Sequence, residues 1–211
     1  MGCGKPATRH SQATPISRYS LELMQTAYIG MGGNLTSWAG SPAATLAAAA
    51  LRLESLGRVV SRSSLYSTKP VGFAGQARFV NAVVALETEL APRDLLAGLL
   101  TIEQEFGRDR SAGLVNGPRT LDLDILLFGD LRVTEPGLEI PHPRLAQRAF
   151  VLVPLCEIAS HIVDPRCGKT VSQYLHSLFP DSKGEVDAVV QIKDGDWRAD
   201  AGRGDVDSGV S

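Results

Sequence analysis

The run Thr120-Leu-Asp-Leu-Asp-Ile-Leu-Leu-Phe128 has the alternating pattern of a β-strand. Successive side chains of a strand point to opposite faces of the sheet, so Asp122 and Asp124 share one face. The aliphatic side chains at 121, 123 and 125 point to the other face. We therefore predict a strand that buries one face and presents two carboxylates on the other.

Further strands and helices are predicted upstream from the periodicity and from helix-start and helix-stop residues. They are strands over 25–30, 58–67 and 79–89 and helices over 42–56 and 92–106. With the strand over 120–128 the order is β-α-β-β-α-β, which predicts a ferredoxin-like α+β fold, an antiparallel sheet with helices packed on it. The strand over 79–89 carries Val and Ala on both faces and is predicted to be central. Extra C-terminal helices are predicted over 144–159 and 170–179.

The composition predicts one domain. The chain has 211 residues, 44% of them hydrophobic, which is enough to bury a core. We predict that this domain spans 26–180. Residues 1–25 are polar and unpatterned, and residues 181–211 hold eight acidic against four basic side chains. Both ends are predicted to be disordered tails, the second one acidic.

Charge and hydropathy limit the partners. A formal net charge of −2 provides no general attraction to polyanions, so no nucleic-acid partner is expected. No apolar segment has the length of a membrane span, and the first 25 residues lack the apolar region of a secretion signal. The three cysteines form no C-x-x-C motif. We expect a cytoplasmic monomer with no membrane partner, and a transit peptide stays an open alternative.

Asp122 and Asp124 form a candidate magnesium site. Mg²⁺ is commonly held by one or two carboxylates together with substrate phosphates and water. Two carboxylates on one face of a strand would supply that protein ligation. The ordinary alternative is a pair of solvent-facing acids on an edge strand, and the same D-x-D pattern recurs at 194–196 and 205–207 in the acidic tail.

Basic side chains near the acidic strand favour the functional interpretation. They are Arg108, Arg110, Arg119, His142, Arg144 and Arg148. Guanidinium groups bind phosphate oxygens in a fork geometry. Any one of these residues alone would be expected to be a solvated surface group. Their grouping around paired acids, in a chain of negative net charge, indicates a polyphosphate site.

Phe79 and Asn81 lie two residues apart on the predicted central strand and therefore share a face. A buried amide requires hydrogen-bond partners. A flat heterocycle with amide-like edges would supply them, with Phe79 stacking on its ring. The alternative is an amide bonded to a neighbouring loop.

Five motifs occur together in one order: Gly32-Gly-Asn-Leu35, Tyr66-Ser-Thr-Lys-Pro-Val-Gly72, Phe79-Val-Asn81, Gly117-Pro-Arg-Thr-Leu-Asp-Leu-Asp124 and Pro141-His142. In this the chain, over roughly 26–179, resembles the 6-hydroxymethyl-7,8-dihydropterin pyrophosphokinase family. The resemblance implies a ferredoxin-like fold and transfer of a pyrophosphoryl group from ATP to the pterin hydroxymethyl group, with release of AMP, on the route to folate.

The resemblance also implies site residues. The ligands of two Mg²⁺ ions would be Asp122 and Asp124. The pterin pocket would include Thr68, Val71, Phe79, Asn81 and Phe150. ATP would be bound by Glu103, Arg108, Arg110, Arg119, His142 and Arg148. The residues acting in catalysis would be Arg108, Arg119, Asp122 and Asp124. Asp122 is expected to be a metal ligand first, and it could also assist deprotonation of the attacking hydroxyl.

Some positions depart from the family pattern. Asn116 stands where a Trp is frequent, Val115 where a basic residue is frequent, and Leu100 where some members have Gln. We expect these changes to weaken binding or slow turnover without changing the reaction.

Two other classes of protein share this order of secondary-structure elements. A two-metal nucleotidyl transferase would need a third strand carboxylate, and an RNA-binding module would need exposed aromatic strands.

Overall fold

The computed structural model describes residues 24–70, 75–109, 117–179, 189–193 and 197. The strands in these ranges are β1 (Gln25–Gly33), β2 (Arg58–Arg62), β3 (Leu65–Thr68), β4 (Phe79–Thr88), β5 (Asp122–Phe128), β6 (Val133–Glu135), β7 (Leu138–Ile140) and β8 (Val189–Ile192). The helices are α1 (Pro42–Leu53), α2 (Pro92–Glu105), α3 (Ala149–Ala159) and α4 (Val171–Leu178), and a short 3-10 helix spans Leu145–Gln147.

The main sheet has the strand order β5-β1-β4-β3-β8, and β2 also pairs with β4. Every neighbouring pair in it is antiparallel. β1 pairs with β4 along its whole length, from Gln25 opposite Thr88 to Gly33 opposite Val80. The predicted ferredoxin-like α+β fold is confirmed, and the strand over 79–89 is central as predicted.

Helix starts follow the local sequence. The Ser41 hydroxyl accepts a hydrogen bond from the Ala44 amide at 3.3 Å, which caps α1, and Pro42 occupies its first turn. Thr170 and Gln173 form a capping box at the start of α4, because each side chain accepts a hydrogen bond from the other residue's backbone N–H. These caps satisfy amides that have no partner inside the helix.

Helices cover both faces of the sheet. α1 and α2 pack on the face that carries Ile29, Val84 and Leu123, and this layer forms the larger core. α3 and α4 pack on the opposite face, over Val83 and Leu126. The second layer leaves part of its face open, next to the first residues of β4 and β5, and the candidate site lies in that opening.

Several predicted boundaries differ from the structure. The strand predicted over 58–67 is two strands, because the chain leaves the regular ladder at Ser63 and Ser64, both buried. The Ser63 hydroxyl accepts a hydrogen bond from the Val83 amide at 3.0 Å and so stands in for a backbone partner. β1 continues to Gly33, three residues beyond the predicted end of that strand, and the β6-β7 hairpin was not predicted.

The prediction of a disordered tail over 181–211 is wrong for two parts of that range. Residues 189–192 form β8 on the outer edge of β3, and the Trp197 side chain is buried at 3% exposure. Residues 1–23 of the predicted N-terminal tail lie outside the described residues. No helix in the part of the chain that the structure describes combines the length and apolar character of a membrane span.

Candidate active site

The register of the sheet brings the predicted site residues into one row. Asp122 on β5 lies opposite Gly32 on β1, and Gly32 lies opposite Asn81 on β4. The next row on the same face joins Asp124 to Gly30. The acids and the amide therefore face one opening, separated by glycines that contribute no side chain.

The glycines are required by close approach. A Cβ atom on Gly32 would lie 2.9 Å from Oδ1 of Asn81, and one on Gly33 would lie 2.3 Å from the Thr120 carbonyl oxygen. The chain next to Gly33 is tied to the start of the acidic strand. The Asn34 amide donates to the Arg119 carbonyl at 2.9 Å, and the Arg119 amide donates to the Asn34 side chain at 2.9 Å.

The opening is a cavity of about 720 Å³. Most of the predicted site residues line it, namely Thr68, Phe79, Asn81, Arg108, Arg119, Asp122, Asp124, His142, Arg148 and Phe150. Arg144, which belongs to the basic group identified in the sequence, also lines it, and so does Lys69. Val71 and Arg110 were predicted as site residues and lie outside the described residues, as do Val115 and Asn116.

Asp122 is held by two guanidinium groups. Nη1 of Arg108 donates to Oδ1 of Asp122, and Nη1 of Arg119 donates to Oδ2 at 2.5 Å. The side chains are partly buried, with 24% of Asp122 and 15% of Arg108 exposed. The pairing fixes both Arg groups at the mouth of the cavity, where charge-assisted bonds to incoming phosphates are geometrically accessible.

Asp124 differs from Asp122 in its surroundings. Among the described residues its nearest ion-pair contact is Nη1 of Arg148 at 3.9 Å, and 40% of its side chain is exposed. Partial burial and the neighbouring charge of Asp122 raise the pKa of Asp124, against the opposing effect of Arg148. An acid with a raised pKa beside a second acid is stabilised in its ionised form by a bound cation.

The donor set fits a Mg–phosphate complex rather than a closed metal site. No group of three or more His, Cys, Asp or Glu side chains suited to a metal occurs among the described residues. Two carboxylates in an open cavity with Arg groups leave the remaining coordination positions to phosphate and water oxygens, which is the usual environment of Mg²⁺. The residues present therefore fit the ion.

Glu103 occupies an inner position. Its side chain is 1% exposed, and its Oε1 accepts hydrogen bonds from the Leu123 amide at 2.8 Å and from Nη1 of Arg108 at 3.2 Å. Glu103 was predicted to bind ATP, whereas these contacts tie α2 to the acidic strand and orient Arg108. It is absent from the residues lining the cavity.

His142 and Arg148 form the second basic side of the cavity. Burial, together with the charges of Arg148 and Arg144, lowers the pKa of His142 to about 4. Its Nδ1 accepts a hydrogen bond from the Arg144 amide at 3.1 Å, so the neutral ring carries its proton on Nε2. His142 is thus a neutral hydrogen-bond donor at neutral pH.

Two aromatic rings line the cavity, and each has a guanidinium group over it. Cζ of Arg119 lies 5.6 Å from the centroid of Phe79, and Cζ of Arg148 lies 5.4 Å from that of Phe150. Cation–π contacts of this length hold the Arg groups beside the rings. Each ring thus carries a cation on one face, and a flat substrate ring could stack only where a face is left open.

Among the described residues, the Asn81 side chain has one hydrogen-bond partner. Its Nδ2 donates to the Thr68 hydroxyl at 2.8 Å, and the two side chains are 6% and 4% exposed. This bond fixes which edge of the amide faces the cavity. The sequence analysis identified both residues. It missed that Gly30 and Gly32 of β1 line the cavity between them and the acids, although the spacing Gly30-Met-Gly32 on a strand was the available signal.

Fold and site together define a class: a ferredoxin-like α+β domain with a cleft suited to a metal-bound polyphosphate beside a flat polar ring. The particular family follows from comparison of the sequence. Residues 28–160 match the family described as 7,8-dihydro-6-hydroxymethylpterin-pyrophosphokinase (HPPK), and the chain belongs to it.

Individual relatives agree with this assignment. A Pseudomonas aeruginosa protein named 2-amino-4-hydroxy-6-hydroxymethyldihydropteridine pyrophosphokinase is 48% identical over 139 residues, which cover 65% of this chain and 82% of the relative. The Synechocystis protein of the same name is 42% identical over 156 residues, 72% of this chain and 75% of the relative. A mitochondrial folate synthesis bifunctional protein from Arabidopsis thaliana is 46% identical over 131 residues, 61% of this chain and 23% of that protein.

The fold is shared with solved structures. The Plasmodium falciparum HPPK-DHPS triple mutant with STZ-DHP superimposes with a TM-score of 0.63 at 16% sequence identity, over 82% of this chain. The chain spans 48% of the length of that protein, about half.

Proposed function

We propose that the chain transfers the pyrophosphoryl group of ATP to 6-hydroxymethyl-7,8-dihydropterin, as the family and the names of its relatives describe, in folate biosynthesis. The hydroxymethyl oxygen would attack the β-phosphorus of ATP. The bond between that phosphorus and the oxygen bridging it to the α-phosphorus would break. AMP would leave with that oxygen, and the hydroxyl proton would pass to a base or to water.

The observation that carries the proposal is the shared face of Asp122, Asp124 and Asn81 in one cavity. Phosphoryl transfer needs little covalent chemistry from the protein and depends on in-line positioning and on neutralising phosphate charge. A row with acids at one end and an amide at the other would align a metal-bound triphosphate with a ring substrate.

At the acidic end, Asp122 and Asp124 would hold Mg²⁺ with ATP. When bound, Mg²⁺ supplies charge neutralisation on the phosphate oxygens. Arg108 and Arg119 now pair with Asp122, and both would turn toward the phosphates, since each retains spare N–H donors. Arg148 and neutral His142 would donate from the opposite wall.

On β4, the Asn81 amide would form hydrogen bonds with the polar edge of the pterin. Its bond to Thr68 leaves the amide oxygen and one N–H for the substrate. Phe79 and Phe150 would stack on the ring, which exchanges exposed aromatic surface for ring contact. Val71 stays a proposed contact of the pterin and Arg110 a proposed contact of ATP.

Asp122 stays a proposed metal ligand that could also assist deprotonation of the hydroxymethyl group. Among the described residues it is paired with Arg108 and Arg119, whereas the nearest ion-pair contact of Asp124 is 3.9 Å away. A carboxylate that binds Mg²⁺ is a weak base, because the cation stabilises its ionised form. We therefore propose that the proton passes most readily to water.

The test is the identity of the nucleotide product. The purified chain is incubated with Mg²⁺, ATP and the reduced hydroxymethyl pterin, and nucleotides are separated by ion-exchange chromatography. We expect AMP that depends on the pterin, disappears with EDTA and returns with excess Mg²⁺. A pterin with a methyl in place of the hydroxymethyl group is the matched control and should yield no AMP. Formation of ADP, or of AMP without pterin, would overturn the proposal.

A further inference from the structure

β8 is the edge strand of the sheet next to β3, on the side of the cavity that Thr68 and Asn81 line. Val189 lies opposite Thr68 on β3, and Thr68 lies opposite Phe79 on β4. Partners in an antiparallel pair point to the same face, so Val189 shares the face of the cavity. Its side chain is 6% exposed. Without β8, the outer peptide groups of the short strand β3 would have no strand partner.

Trp197 attaches the same segment to the junction between β2 and β3. Its indole N–H donates to the Ser63 carbonyl at 2.5 Å, and its own carbonyl accepts from Nη1 of Arg62 at 3.3 Å. Cζ of Arg62 lies 5.6 Å from the centroid of the indole ring. Arg62 is 7% exposed, so Trp197 supplies both polar and aromatic contacts to a buried cation.

A polar network extends the attachment toward α3. The Gln191 side chain donates to the Ser64 hydroxyl at 2.6 Å, and that hydroxyl donates to Glu157 at 3.0 Å. The Tyr66 hydroxyl also donates to Glu157 at 3.0 Å. β3 is therefore held along its outer edge by β8, and on the face that carries Tyr66 and Thr68 by Glu157 of α3.

We propose that this C-terminal strap, defined as Val189–Ile192 together with Trp197, positions β3 and through Thr68 orients Asn81 for the substrate ring. The strap lies beyond residues 28–160 that match the family. The inference rests on the proposed function, because Asn81 is assigned to the pterin there. β1, β4 and β3 lie between β8 and the acidic strand β5, so we expect the effect of the strap on the ring substrate and not on ATP.

Two substitutions in the full chain test the strap independently. Val189→Asp introduces a charge into the buried contact beside Thr68, and Val190→Asp is the matched control on the exposed face, with Val190 49% exposed. Trp197→Ala removes the anchor without adding charge, and Trp197→Phe retains the ring alone. Circular dichroism and thermal melting establish that each variant is folded.

The readout is the Michaelis constant for each substrate in the AMP assay. We expect Val189→Asp and Trp197→Ala to raise KM for the pterin about tenfold, since displacement of a positioning group costs one to two orders of magnitude. KM for Mg-ATP should stay within twofold of the wild-type value, because these substitutions do not alter Asp122 and Asp124. Val190→Asp should match the wild type, and Trp197→Phe should lie in between.

Three results would overturn the proposal. They are an unchanged pterin KM in both strap variants, an equal rise in KM for both substrates, and loss of folding in both, which would make the strap a part of the core. Wild-type protein that forms no AMP would instead refute the proposed function. The two failures are therefore distinguishable.

Discussion

Replacing Asp124 by Asn should abolish activity without weakening the fold. In the part of the chain that the structure describes, Asp124 makes no ion pair shorter than 3.9 Å, and burial and the Asp122 charge raise its pKa. A carboxyl group whose pKa is raised by folding destabilises the folded state once it is ionised. Asp124→Asn should therefore change the free energy of unfolding by less than about 0.5 kcal/mol, or increase it.

The matched substitution Asp122→Asn should lose activity and also stability. Asp122 accepts hydrogen bonds from Arg108 and Arg119, and 24% of its side chain is exposed. Removing the charge from two partly screened pairs should cost about 1–3 kcal/mol. Both variants lose a proposed metal ligand worth several kcal/mol in the transition state, or about 10³-fold in rate.

The assay combines urea unfolding, followed by tryptophan fluorescence, with the rate of AMP formation. Glu139→Gln, at the exposed position of β7, is the control and should change neither quantity. Two results would refute the reasoning. One is Asp124→Asn with more than a tenth of the wild-type rate. The other is Asp124→Asn destabilised as much as Asp122→Asn.

Three further perturbations have defined outcomes. Asn81→Leu removes the amide that Thr68 orients and should raise pterin KM about 10–100-fold with KM for ATP unchanged; equal effects on both constants would contradict the pterin assignment. Arg166→Met leaves the carboxylate of Asp164, 1% exposed, without its guanidinium partner and should lower the free energy of unfolding by about 3 kcal/mol; a loss below 1 kcal/mol in urea titrations would disagree. Because the pKa of His142 is lowered to about 4 from 6.5, the unfolded chain takes up a proton between these values that the folded chain does not. Stability should therefore fall by about 1–2 kcal/mol from pH 7.5 to 5, and His142→Gln should remove that part of the loss in melting experiments.

The orientation of the side chains on β5 could be predicted from the sequence. Alternation alone predicted that Asp122 and Asp124 share a face, and the pairing with β1 confirms it. The same reasoning predicted that Phe79 and Asn81 share a face, and both line the cavity. These inferences hold because the period of a strand is a local property of the backbone.

Residues whose placement depends on tertiary pairing were harder to predict. β8 lies within an acidic, glycine-bearing stretch, and its short apolar run becomes a strand only because the edge of β3 is available to it. Glu103 is a charged residue on the apolar side of α2, which the resemblance implied to bind ATP, and it is buried because it bonds the Leu123 amide across α2 and β5. Neither contact has a signal in the sequence nearby.

Binding of Mn²⁺ as a substitute for Mg²⁺, followed by the electron paramagnetic resonance signal of the free ion, would report on the acid pair itself. The titration uses wild-type chain and Asp124→Asn, each with a non-hydrolysable ATP analogue, against analogue alone. We expect the wild type to remove Mn²⁺ from solution beyond the analogue, and Asp124→Asn to match the analogue alone. Equal uptake by wild type and variant would contradict the assignment of the metal–nucleotide site to Asp122 and Asp124.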